Sequence, residues 1–135
     1  MEKLENTLIT VNEIARYFNA TIIGSVLLKD LINNDLINDV DISIDESKFW
    51  NVKTFLQDKG FKETNNSYKQ RGYADFIGSK KFESKNNLPI HLCFKDKDFK
   101  IKTIPEILKE KLERYSDSDR LQILDLVTNN YKLKK

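Results

Sequence analysis

The stretch Thr21-Ile22-Ile23-Gly24-Ser25, followed after residues 26–38 by Asp39-Val40-Asp41-Ile42-Ser43-Ile44, decides how this chain is read. The first segment reads as a short buried strand entering a tight turn at Gly24. The second alternates polar and apolar residues, which predicts a half-buried strand with Val40, Ile42 and Ile44 facing inward. Period-two geometry then puts the Asp39 and Asp41 carboxylates on one face, roughly 7 Å apart by strand rise. Glycine at the turn lets backbone approach a ligand closely, and a helix starting after it would offer free N–H groups and a positive dipole end to phosphate oxygens. Two hard anionic ligands on one rigid edge suit Mg²⁺ (or Mn²⁺) when water and nucleotide phosphate complete the shell.

Upstream, Leu4, Leu8, Val11, Ala15 and Phe18 recur at helical spacing and predict an amphipathic helix over about 3–19. Residues 26–32 read as a helix leaving the Gly24-Ser25 turn and ending in the Asn33-Asn34-Asp35 loop. Downstream, Phe49, Val52, Phe55 and Leu56 form an apolar stripe on a second helix, stopped by Gly60 as a left-handed cap. From Phe61 to Phe94 the pattern is strand-like, over 61–64, 73–77, 80–84 and 88–94. Asn65-Asn66, Gly78-Ser79 and Asn86-Asn87 mark hairpin-like turns between these strands.

Pro105 suits the first turn of a helix that carries Ile107, Leu108 and Leu112 to about Tyr115. Ser116 or Ser118 can cap a last helix carrying Leu121, Leu124, Leu126 and Val127. The order predicts a mixed sheet of about 4–6 strands covered by helices. That is an α+β class, with α/β as the near alternative. One domain over 1–135 is expected, with its core at about 20–95 and a C-terminal helical part at about 104–130.

The composition narrows the chemistry. Among 135 residues, 39% are hydrophobic and 33% charged, which is wet for a globular protein but too apolar for a disordered chain. Lys and Arg number 23 against 21 Asp and Glu, so a net charge of +2 gives no field for coating a nucleic-acid backbone. No apolar run approaches the roughly 20 residues of a bilayer helix, so no membrane partner is expected. The first residues show no secretory signal, and a reducing, cytoplasmic setting is the expectation. One cysteine, Cys93, and one histidine, His91, exclude an internal disulfide, a cysteine zinc site and multi-His metal sites. Carboxylates are left to carry chemistry.

Ile23-Gly24-Ser25 and Asp39-Val40-Asp41-Ile42, in this order and on these elements, resemble the signature of the nucleotidyltransferase superfamily related to DNA polymerase beta. That signature is a hydrophobic residue, Gly, then Gly or Ser, about ten further residues, and Asp-hydrophobic-Asp-hydrophobic. The resemblance implies transfer of a nucleoside monophosphate from a nucleoside triphosphate to an acceptor hydroxyl. It gives Gly24 and Ser25 to the phosphates and Asp39 and Asp41 to the metal. The family's third carboxylate, on a later strand with apolar flanks, falls at Ile90-His91-Leu92, so His91 stands where an acid is expected. A neutral imidazole ligates metal without adding negative charge. The rival position is Asp75, in Ala74-Asp75-Phe76.

The tail, from Ile104 through Lys111, Arg114, Asp119 and Gln122, is similar to the C-terminal helices of small abortive-infection and toxin-type members. There the resemblance gives Lys111 and Arg114 to the triphosphate. The family's Lys-Asp pair reads Ser118-Asp119 here. The acceptor, whether small molecule, RNA or protein, is not named by the sequence, and a homo-oligomer or protein partner is compatible with the small size. A chain that kept the fold and lost the third acid, acting as a nucleotide-binding or protein-interaction module, is the alternative. Cys93 reads as a buried thiol, Lys95-Asp96-Lys97-Asp98 as a solvated loop, Tyr131 to Lys135 as a frayed basic end, and Trp50 as core or a partner contact.

Overall fold

The computed structural model describes residues 2–64, 76–96 and 99–133. Helix α1 (Glu2–Phe18) buries Leu4, Val11 and Ile14 and stops at Asn19, whose left-handed φ of 54° asparagine tolerates well. The Lys48 ammonium donates to the Phe18 carbonyl at 3.0 Å, a cation at the negative end of the helix. Strand β1 (Thr21–Ile23) follows, then a 3₁₀ turn over Gly24–Leu28 and another over Asn34–Leu36, leading to β2 (Val40–Ile44). Helix α2 (Phe49–Asp58) ends against Gly60, which takes the expected positive φ of 90°. Strands β3 (Lys62–Glu63), β4 (Phe76–Glu83) and β5 (Ile90–Lys95) precede α3 (Ile104–Arg114) and α4 (Asp117–Leu133). The fold is α+β, a mixed sheet of five strands in the order β1-β2-β5-β4-β3 with four helices among the described residues.

Strand β5 is the axis of the sheet. It pairs parallel with β2 and antiparallel with β4, and its first five residues are all buried. Register sorts the side chains into two faces. Ile90, Leu92 and Phe94 lie level with Val40, Ile42 and Ile44, and Ile90 also with Phe82. This apolar face is covered by α1 and α2, whose Phe49 ring meets Phe94 edge-on at 5.5 Å. The opposite face is polar: Asp41, His91 and Lys81 form one row across three strands, and Ser43, Cys93 and Ser79 form the next.

Several expectations are corrected. Residues 26–32 are not an α-helix, because Val26 and Leu28 are both buried and would point about 200° apart at helical period. A 3₁₀ turn is followed instead by a bend in which the Leu28 carbonyl accepts from both Leu31 and Ile32. Gly78-Ser79 is not a hairpin turn. Strand β4 runs straight through it, and Gly78 marks a register shift where Phe76 faces Lys95 but Gly78 faces Phe94. Trp50 is 70% exposed, with the Lys53 ammonium 5.0 Å above its ring, and does not join the core. The Asn65-Asn66 turn, Tyr73 to Asp75, and the Lys97-Asp98 part of the loop lie outside the described residues.

The largest correction concerns the face that α4 buries. Leu121, Leu124 and Val127 are 51%, 57% and 60% exposed, and Leu112 of α3 is also exposed. The buried positions are Ile107 and Lys111 on α3 and Asp119, Gln122 and Leu126 on α4. Of the predicted caps Ser116 is the one used, its hydroxyl accepting from the Asp119 amide at 3.2 Å. No helix among the described residues is long and apolar enough to cross a membrane.

Ile42, fully buried between β1 and β5, should lose about 2–5 kcal/mol of stability on replacement by alanine. Leu124→Ser on the exposed face of α4 should stay within about 0.5 kcal/mol of wild type. Denaturant unfolding of the two variants checks this contrast; comparable losses would mean that the outer face of α4 is covered.

Candidate metal centre

Parallel pairing of β2 with β5 places Asp41 directly beside His91. The His91 Nδ1 lies 3.2 Å from Asp41 Oδ1 and 3.9 Å from Asp39 Oδ2. One donor atom from each of the three residues lies within 4.8 Å of the others. Donors about 3 Å apart are what adjacent ligands show around an ion bound at about 2.1 Å, so the cluster fits a divalent cation. Two carboxylates with one imidazole favour Mn²⁺ and other borderline ions over Mg²⁺. Without metal, the same short distance is a hydrogen bond between the imidazole and the carboxylate.

The electrostatics match a site that awaits positive charge. Burial, and then repulsion from Asp41, push the Asp39 carboxyl up to about 6, while His91, Lys81 and Lys111 pull the other way. Burial and the same two carboxylates push the Cys93 thiol far above its ordinary range, so it stays neutral and unreactive. Lys81 belongs to this neighbourhood and escaped the sequence reading. Only the antiparallel register of β4 against β5 brings it level with His91, where it also pairs with Glu83 at 3.6 Å.

Gly24 abuts the acids. Its φ is +77°, and a Cβ at this position would sit 2.5 Å from Asp41 Oδ2. Glycine is therefore demanded twice, by conformation and by space. The element after it is a single 3₁₀ turn rather than the expected helix, so the dipole of a long helix is not available to this turn.

Ser25, Lys111 and Gln122 converge beside it. The Lys111 ammonium donates to Ser25 Oγ at 3.0 Å, Gln122 Oε1 at 2.7 Å and Asp119 Oδ1 at 3.4 Å, which uses its three donors. Burial pushes the Lys111 pKa down, and Asp119 opposes that shift. Arg114 binds Asp119 in two-pronged fashion, Nε and Nη2 both at 2.8 Å. Burial alone would raise the Asp119 carboxyl, but Arg114 and Ser116 hold it well below the usual carboxylate range. The structure thus brings Gly24, Ser25 and Lys111 into one neighbourhood with Asp41, whereas Arg114 is engaged on Asp119. Asp75 lies outside the described residues.

Scanned against protein-family models, the chain matches none, and a search of curated proteins returns no match.

Gly24→Ala should cost about 1–3 kcal/mol and displace the Asp41 carboxylate, whereas Gly60→Ala, at φ +90° with open space around it, should cost about 1 kcal/mol. Denaturant melts with Mn²⁺ titrations distinguish them, and only the Gly24 variant should lose metal affinity. A metal binds the ionised form of Asp39, so protons compete as pH falls through about 6. Calorimetric Mn²⁺ affinity should weaken by about tenfold between about pH 7.5 and about pH 5. Affinity that is flat over this range would contradict the assignment of Asp39 as a ligand.

Proposed function

We propose that this chain is a divalent-metal-dependent nucleotidyltransferase-like protein that moves a nucleoside monophosphate from a nucleoside triphosphate to an acceptor hydroxyl. The observation that carries the reading is the convergence of Asp39, Asp41 and His91 beside the Gly24-Ser25 turn. Its second support is the resemblance of Ile23-Gly24-Ser25 and Asp39-Val40-Asp41-Ile42 to the signature of the nucleotidyltransferase superfamily related to DNA polymerase beta.

Asp39 and Asp41 would hold the cation, Mg²⁺ or Mn²⁺, and His91 would serve as a third ligand or as a proton acceptor. When bound, the metal supplies charge stabilisation for the attacking and leaving oxygens. Gly24 and Ser25 receive the β- and γ-phosphates, with Lys111 behind Ser25 lending positive charge. The acceptor oxygen forms a bond to the α-phosphorus as the bond between that phosphorus and the bridging oxygen breaks. The bridging oxygen keeps the electron pair and leaves as pyrophosphate. The hydroxyl proton goes to His91, where the imidazole is not metal-bound, or to water. A small molecule, an RNA end or a protein side chain all present such a hydroxyl.

A second reading has its own support. His91 brings no negative charge, and Lys111 and Arg114 already spend hydrogen bonds on Asp119 within the chain. A nucleotide-binding or protein-interaction module without turnover would have these features.

Calorimetry with each NTP and Mn²⁺ or Mg²⁺, followed by transfer of radiolabelled NMP, separates the two. Asp39→Ala and Asp41→Ala should each abolish metal-dependent transfer, a loss of at least about 100-fold. Turnover that survives both changes would sink the catalytic reading, and tight NTP binding without transfer would favour the module. Higher activity in His91→Asp would identify His91 as a degenerate third acid, and loss of activity would show that the imidazole itself is used.

A further inference from the structure

The residues between Gly24 and Asp39 carry no α-helix and no strand, only two 3₁₀ turns, yet they join the glycine against Asp41 to the first acid of the cluster. β1, β2 and α3 pack against the first of these turns, and α4 adds side-chain hydrogen bonds along the whole segment. Ser118 Oγ accepts from Asn38 Nδ2 at 3.4 Å, and Asp125 Oδ2 accepts from the Asn33 amide at 2.5 Å. Between them Gln122 makes two connections at once. Its Oε1 accepts from Ser25 Oγ at 3.3 Å, and its Nε2 donates to the Leu36 carbonyl at 3.0 Å.

Positions 118, 122 and 125 lie on one stripe of a helix, so α4 presents a polar ladder to residues 25–38. Gln122 is its buried rung, 3% exposed, and it reaches both 3₁₀ turns. A primary amide suits this task because it accepts at one end and donates at the other. Its carbonyl end is further fixed by the Lys111 ammonium at 2.7 Å.

We infer that Gln122 is a positioning residue. By tying Ser25 to Leu36 it sets the path of residues 25–38, and so the placement of the Ser25 hydroxyl relative to Asp39 and Asp41. It touches no reacting atom. The nucleotide part of its effect rests on the function proposed above, whereas the ordering of residues 25–38 does not.

Amide hydrogen exchange on the metal-free 135-residue chain tests the ordering. In Gln122→Leu, protection at residues 25–38 should fall by about tenfold, while Ile42 and Leu92 in the sheet keep theirs. Gln122→Glu keeps an acceptor of the same shape and should restore protection at Ser25 but not at Ile37, whose amide follows the Leu36 carbonyl. Unchanged protection at 25–38, or an equal loss at every amide, would overturn the proposal, the latter marking a purely structural role. A second measurement uses Mn²⁺ alone and then ATP with Mn²⁺. Gln122→Leu should leave the affinity for Mn²⁺ alone within about twofold of wild type and weaken ATP by about tenfold. Equal ATP affinities would overturn the positioning of Ser25. Wild type that binds Mn²⁺ but no nucleotide would instead fail the proposed function, with the exchange result still judging Gln122.

Discussion

The ammonium of Lys111 lies inside the protein, and a buried cation dictates what surrounds it. Removing it from water costs several kcal/mol, so its donors must all find acceptors and its charge a counter-ion. Ser25, Gln122 and Asp119 answer this demand. Asp119, buried in turn, draws in Arg114 and the Ser116 cap. Because Asp119 and Gln122 sit on one face of α4, that face turns inward and Leu121, Leu124 and Val127 are left outside. The same interaction therefore shapes the helical hairpin, anchors the turn after Gly24 and places a positive charge behind the candidate metal centre.

The sheet supplies the other half of the arrangement. Parallel pairing puts β5 beside β2 although β3 and β4 come between them in sequence. It sets Asp41 against His91 in the same stroke that sets Ile42 against Leu92. One face of the pair buries hydrocarbon under α1 and α2, while the other gathers two carboxylates and an imidazole. The apolar face makes the polar one rigid, because a slip of one residue would put Asp41 and His91 into the core. Two rigid carboxylates that repel one another are suited to a cation, and burial, followed by that repulsion from Asp41, raises the Asp39 carboxyl.

Much of this was legible in the residues. The alternation from Asp39 to Ile44, the stripe on α1 and the Gly60 stop are local patterns, and each element formed where its pattern lay. The candidate site was legible in its parts as well, since period two alone put Asp39 and Asp41 on one face. What misled were patterns that local physics leaves open. Gly78-Ser79 is good turn chemistry, but the neighbouring strand absorbed it as a bulge. The leucines of α4 look like a core stripe, yet a polar demand elsewhere outweighed them. Lys81 could not be found at all without the register of β4.

The sequence by itself determined most of the helices and strands, the acid pair on its strand and the glycine before it, because backbone sterics and hydrophobic period act over a few residues. Only the tertiary structure decided that His91 stands against Asp41, that Lys111 holds Ser25, and that Gln122 joins two turns. These contacts link residues 50 to 97 positions apart. Long-range pairing is set by which faces can be buried together and which charges must be satisfied, and no local pattern encodes that balance.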